Sequence, residues 1–203
     1  MRPEFYQEYN RIENTHWWFL GRRRIFLCLL SRYLTPQETA LILDVGCGTG
    51  TTLRYLSSYG QGVGVDIERS ALEYTRQRGT IRVVQTAASN LAFDDDTFDL
   101  TCALDILEHV DDDSQALHEC YRTCKPGGLM LVTVPAYCFL WGRQDEISNH
   151  RRRYVASEVR QRVADAGFSV RRLTYFNTLL FPIVASIRLF RWWRSPRPEE
   201  TKI

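Results

Sequence analysis

Three groups of residues in this chain have the types and spacing to do chemistry. Asp44-Val45-Gly46-Cys47-Gly48-Thr49-Gly50 stands where an aliphatic run, Leu41-Ile42-Leu43 with Val45, gives way to a helical pattern. Glycines at a strand-to-helix turn let backbone amides approach a ligand and let the helix pack close to the strand. Asp66 closes the next run, Gly62-Val63-Gly64-Val65; a carboxylate there accepts both hydroxyls of a ribose, and Ile67 offers an apolar face to an attached ring. The plainer reading of Asp66 is a cap for the helix that begins at Arg69. His150, flanked by Arg151, Arg152 and Arg153, has the makings of a general base beside cations that keep a substrate oxygen anionic. Its plainer reading is a packed histidine in a loop anchored by Arg152 and Tyr154.

The register of the glycines narrows the ligand. A dinucleotide fingerprint starting at Gly46 needs glycine at position 51, which is Thr51, and one starting at Gly48 needs it at 53, which is Leu53. A triphosphate-binding loop needs a lysine after the glycines, and none follows. Lys and Arg number 26 against 24 Asp and Glu, a formal charge of +2, so no whole-molecule field attracts nucleic acid. The six cysteines lie mostly in apolar runs with no CxxC pair, and Met1 leads into Pro3, Glu4 and Glu8 rather than an apolar leader; the expectation is reduced thiols in a cytoplasmic protein, with no metal site.

These residues need elements to hold them. With 203 residues, 44% of them hydrophobic and 25% charged, the chain suits one globular domain. Further buried strands are predicted at Ile81 to Val84, Phe98 to Ala103 and Leu129 to Val134, and helices at Thr51 to Tyr59, Arg69 to Arg78 and Asp113 to Cys124. Lys125-Pro126-Gly127-Gly128 reads as a strong stop between the last of those helices and the fifth strand. A helix from Ser157 to Ala166, ended by Gly167, leads to a sixth strand near Phe168 to Tyr175 and a final helix after Asn177. Strands alternating with helices predict a Rossmann-like α/β fold: a doubly wound, mostly parallel sheet of six or seven strands with helices on both faces. The expected organisation is an N-terminal helical cap (1–36), a cofactor-binding core (37–135), a lid insertion after strand five (136–156) and a C-terminal helix, strand and terminal helix (157–203).

The order of the motifs carries a resemblance. Asp44-x-Gly46-x-Gly48-x-Gly50, Val63-Gly64-Val65-Asp66, Leu91-Ala92-Phe93 before Phe98-Asp99-Leu100, Leu107-Glu108-His109-Val110 and Lys125-Pro126-Gly127-Gly128 follow one another as in the class I S-adenosylmethionine-dependent methyltransferases, which the chain resembles. The resemblance implies a sheet ordered 3-2-1-4-5-7-6 and S-adenosyl-L-methionine across the carboxyl ends of strands one, two and four. It further implies that Gly46, Cys47 and Gly48 floor the methionine portion, that Asp66 binds the ribose, that Leu104 lies beside the methionine tail and that Asp44 steadies the loop. Ala87 falls where the family often has an Asp for the adenine amine, so adenine contacts would rest on the Ala88 amide and apolar packing, Ile67 included. Asp105-Ile106-Leu107-Glu108-His109 is similar to the ExxEH pattern of ubiquinone-pathway O-methyltransferases, where such residues gather near a divalent ion. A glutamate at a helix start is explained equally by the helix dipole, and no metal is assigned.

The two ends bear on the acceptor. His16-Trp17-Trp18-Phe19 with Arg22-Arg23-Arg24 resembles a bacterial subgroup of these enzymes. At helical spacing Trp18, Arg22, Ile25 and Leu29 share a face, so Arg22 is expected to meet the cofactor carboxylate or, equally, a protein carboxylate. Tyr137, Phe139, Trp141 and Tyr175-Phe176-Asn177 suit an apolar pocket. The expected activity is methyl transfer to O, N or C of a small, aromatic or lipid-like acceptor, with His150 as the catalytic residue. A catalytically silent cofactor-binding or membrane-associated partner protein is the alternative. The segment 177–194 mixes an apolar run with Arg and Trp, which suits peripheral contact with a membrane surface.

Overall fold

The computed structural model describes residues 3–79 and 82–194. Five strands, β1 (Leu41–Val45), β2 (Gln61–Asp66), β3 (Val83–Gln85), β4 (Phe98–Leu104) and β5 (Cys124–Thr133), form one parallel sheet in the order β3-β2-β1-β4-β5. Ile81, expected to open the third strand, lies outside the described residues. β1 is central because Ile42, Leu43 and Val45 are buried on both faces, as a parallel strand covered by helices requires. Ile42 joins Leu100, Cys102, Leu30 and Leu56 on one face. Leu43 and Val45 join Val65, Leu117 and Val163 on the other. The chain leaves β1 for β2 on one side and returns to pair β4 on the other, so a crevice opens beyond the carboxyl ends of β1 and β4.

The helices are α1 (Pro3–Ile12), α2 (Trp17–Leu30), α3 (Thr51–Leu56), α4 (Arg69–Gln77), α5 (Asp113–Thr123), α6 (Arg143–Ile147), α7 (Ala156–Asp165) and α8 (Phe181–Arg194). α5 starts where the Asp112 carboxylate accepts from the Gln115 amide at 2.8 Å, a side-chain N-cap. Gly62 and Gly64 on β2 have a packing reason: a Cβ at either would lie within 2.9 Å of the Leu53 side chain. They bring α3 down onto the strand.

Two expectations fail. Lys125-Pro126-Gly127-Gly128 does not separate α5 from β5 but lies within β5, as an irregularity where Phe98 pairs with Cys124 and Leu100 next pairs with Leu129; Gly127, at φ +79, absorbs the extra residues. The sixth strand also does not form: residues 168–175 have no ladder. In the order 3-2-1-4-5-7-6 a sixth strand pairs only with a seventh. No seventh strand occurs among the described residues, and the apolar run at Phe168 and Val170 packs on the core outside any strand ladder.

Candidate active site

The glycine turn is shaped by positive φ at Gly46 (+72), Gly48 (+53) and Gly50 (+79). A Cβ at Gly46 would meet Ile106 Cδ1 at 2.6 Å and one at Gly50 would meet Thr75, whereas one at Gly48 would meet nothing within 4 Å. Gly46 and Gly50 therefore serve packing, and Gly48 faces open space. Asp66 completes the turn: its Oδ2 accepts from the Gly48 amide at 3.0 Å and its Oδ1 from the Glu68 amide at 2.9 Å. Burial raises the Asp66 carboxyl, and the Glu68 and Gly48 amides partly offset it. Each oxygen keeps a lone pair for a further donor, so the capping and ligand-binding readings of Asp66 are compatible.

A cavity of 1980 Å³ takes in this turn, the carboxyl ends of the strands and the open length of β5 from Cys124 to Thr133. Its wall includes Trp18, Arg22, Gly46, Cys47, Gly48, Asp66, Ile67, Ala87, Ala88 and Leu104, and at its far side His150. Ile67 is 64% exposed, an apolar side chain free to cover a ring. Phe26 and Leu30 are the buried residues of α2, and Trp18, Arg22, Ile25 and Leu29 line the cavity together with them. Tyr137, Tyr175, Phe176 and Asn177 line it as well, while Phe139 and Trp141 are exposed outside its wall.

Asp44 lies beneath the turn instead of in the cavity. It is buried, and its Oδ2 has no hydrogen-bond partner. Burial, reinforced by Asp66, pushes its pKa up to about 8. Between its ordinary value and 8 the folded chain holds a proton that the unfolded chain has released, so this group's contribution to stability is lost as pH rises through that window. Asp44→Asn removes the titration. Its melting temperature, relative to wild type, should therefore climb by a few degrees between pH 5 and pH 8, measured by thermal denaturation across that range.

The sequence pointed to Arg22 as an anion-binding group. Its guanidinium pairs with Asp105 Oδ2 at 2.5 Å and stands over the Phe26 ring at 5.3 Å, so it meets a protein carboxylate while also lining the cavity. Asp105 follows β4 directly with φ +54, held by Thr133 through Oδ1 at 2.9 Å and through its own amide at 3.0 Å. A non-glycine residue held in the left-handed region marks a site whose surroundings over-determine it. Arg22 Nε remains buried without a partner.

Sequence reasoning missed the contribution of α1. Glu13 accepts from Thr49 Oγ1 at 2.6 and 2.8 Å and is paired with Arg78, which also holds Asn10 and Thr51. The segment thereby staples the glycine turn to α4. Glu13 opens the stretch Glu13 to Phe19 that resembles the bacterial subgroup, but its partners Thr49 and Arg78 are set by the fold.

At the other end, His150 Nδ1 is 2.9 Å from Asp145 Oδ1, and its Nε2 is 4.0 Å from Glu108. The His109 ring stands edge-on to His150 at 4.8 Å. Glu108 is almost fully buried and neither carboxyl oxygen has a partner; burial, then Asp105, pushes it well above the usual carboxylate range. Burial, then His150, lowers the His109 pKa to about 4. Glu108, His109 and His150 each bring a ligand atom within 4.8 Å of the others, a donor set that suits a borderline divalent ion. Arg151 stitches the two segments together through its amide, which donates to the Glu108 carbonyl at 2.8 Å.

A parallel sheet ordered β3-β2-β1-β4-β5, a glycine turn after β1 and a carboxylate closing β2 make up a nucleotide-binding α/β arrangement. Residues 43–132 match the family described as methyltransferase domain. The chain is 29% identical over 162 residues to a Mycobacterium tuberculosis protein named as a probable S-adenosylmethionine-dependent methyltransferase, covering 77% of this chain and 57% of that one. It is 36% identical over 112 residues to the ubiquinone biosynthesis O-methyltransferase of Alkalilimnicola ehrlichii, covering 52% and 45%. The chain thus spans about half the length of these curated relatives. Among solved structures, the methyltransferase chain in complex with the Trm112 activator of Haloferax volcanii superposes with a TM-score of 0.69 at 22% identity, over 83% of this chain and 75% of that one, which speaks to the fold alone.

Proposed function

We propose that this chain transfers a methyl group from S-adenosyl-L-methionine to a small acceptor with an aromatic or lipid-like body. The observation that carries the reading is Gly48: its missing side chain leaves open space beside the Asp66 carboxylate, in a cavity that continues to His150. The residues present fit an adenosyl ligand. Asp66 would take the ribose hydroxyls, Ile67, Ala87 and Ala88 the adenine, Gly46, Cys47, Gly48 and Leu104 the methionine portion, and Arg22 with Trp18 would close over its carboxylate. When bound, S-adenosyl-L-methionine supplies a methyl group on a sulfonium. The chain's own work is to align the acceptor in line with that methyl, exclude water and take up a proton where one is released.

His150 would take that proton, and Tyr137, Tyr175 and Phe176 would pack the acceptor body. The names of the quinone-pathway relatives support an acceptor of this class. The test is transfer of labelled methyl groups to fractionated small metabolites. His150→Ala should reduce transfer about 100-fold or more and change cofactor affinity less than about twofold. Equal transfer by variant and wild type would leave His150 a packing residue.

No helix among the described residues is long and apolar enough to cross a membrane. α8 nonetheless exposes Ile183 (60%), Ile187 and Leu189 beside Leu179 (90%), while the side chains of Trp192 and Trp193 lie outside the described residues. We read 177–194 as a peripheral contact for an anionic membrane surface. In vesicle co-sedimentation the full chain should pellet more than one ending at Asn177, and equal pelleting would remove this role.

A further inference from the structure

We propose that Asp145 is a positioning residue that fixes the tautomer of His150, with Nδ1 carrying the proton and Nε2, the nitrogen 4.0 Å from Glu108, left unprotonated. The inference rests on the reading of His150 as the proton acceptor. It starts from a carboxylate that is fully buried yet over-provided with donors: Asp145 Oδ1 accepts from Arg153 Nε at 2.8 Å, and Oδ2 from Arg153 at 3.1 Å and from the Gly142 amide at 2.8 Å. The Arg153 fork and the Gly142 amide are the donors that an ionised carboxylate takes.

A carboxylate so held accepts hydrogen bonds and keeps no proton of its own. The His150 Nδ1 contact at 2.9 Å is therefore N–H to carboxylate, and Nε2 is left as the unprotonated nitrogen. The backbone reinforces the pairing, since the His150 amide donates to the Asp145 carbonyl at 2.8 Å. Asp145 in α6 and His150 just after it are thus tied together, and the chain beyond them is fastened to the Glu108 segment by the Arg151 amide.

With an acceptor hydroxyl at Nε2, the O–H bond breaks with its proton passing to that nitrogen. The oxygen keeps the electron pair and forms the new O–C bond, and the C–S pair departs with sulfur to leave a neutral thioether. Asp145 stabilises the imidazolium through the Nδ1–H bond without taking the proton. Glu108 at 4.0 Å and the edge of His109 at 4.8 Å are the other groups facing the ring. Arg153 prevents Asp145 from swinging away.

The test reads the imidazole directly. Long-range proton–nitrogen correlation spectra of the full chain at neutral pH should show His150 protonated at Nδ1 in wild type. In Asp145→Asn, whose amide presents a donor and loses the charge, the population should move to the Nε2–H form, and carbethoxylation of His150 by diethyl pyrocarbonate, followed by peptide mass spectrometry, should slow at least tenfold. Asp145→Glu should recover part of that rate. A wild-type chain with His150 protonated at Nε2 overturns the proposal without any variant, as does a folded Asp145→Asn with unchanged tautomer and reactivity. A wild-type chain that fails to bind S-adenosyl-L-methionine sinks the proposed function instead, and the tautomer measurement does not depend on it.

Discussion

Gly48→Ala should weaken S-adenosyl-L-methionine binding about 30- to 100-fold while lowering the melting temperature by only a few degrees. The new methyl group points into open space in the ligand-free chain, so the folded protein tolerates it apart from the left-handed backbone at φ +53, a strain of about 1–2 kcal/mol. A ligand lying against the turn would meet that methyl group directly. Overpacking of about 2–3 kcal/mol corresponds to the stated loss at about 1.4 kcal/mol per tenfold. Gly46→Val, the substitution that sequence alone would suggest, is a poorer test, because its Cβ would already clash with Ile106 in the empty protein. Calorimetric titration combined with thermal melts separates the two effects. Normal affinity in Gly48→Ala would place the ligand elsewhere.

Asp66→Ala should cost about 1.5–3 kcal/mol of binding, the range for hydrogen bonds to a charged group, or roughly 10- to 150-fold. Unlike Gly48→Ala it should also lower stability clearly, because the Gly48 and Glu68 amides lose their acceptor. Asp66→Asn retains one acceptor oxygen and should fall between the two in both measurements. If Asp66→Ala melts lower yet binds S-adenosyl-L-methionine as wild type does, the carboxylate is a cap for the turn and the ribose contact is wrong.

The parts of this molecule legible in sequence are those whose causes are local. The aliphatic runs of β1, β2 and β4 carry their own burial pattern and the turn after β1 its own glycines, and the structure places the strands in register, Val45 beside Val65 and Ala103. Pairing that depends on a distant partner was not legible. Residues 168–175 have a strand-like composition and, among the described residues, no neighbouring strand to accept them, and Lys125-Pro126-Gly127-Gly128 has the composition of a turn but is held in β5 by Phe98 and Leu100. Side-chain partners across the fold were equally hidden. Arg22 and Asp105 stand 83 positions apart, and Glu13 reaches Thr49 and Arg78 only because α1 lies over the glycine turn. Asp145 stands in a polar stretch between Gly142 and Arg153; its contact with His150 needs the turn that follows α6.

The central claim is that the turn after β1 and the carboxylate closing β2 form an S-adenosyl-L-methionine site. Calorimetric titration of the purified chain with S-adenosyl-L-methionine, and separately with a nicotinamide dinucleotide, tests it most directly. The account predicts saturable one-to-one binding of S-adenosyl-L-methionine, weakened in Gly48→Ala and Asp66→Ala, and no saturable heat with the dinucleotide. A folded chain that binds the dinucleotide, or that gives no heat with S-adenosyl-L-methionine, would contradict it.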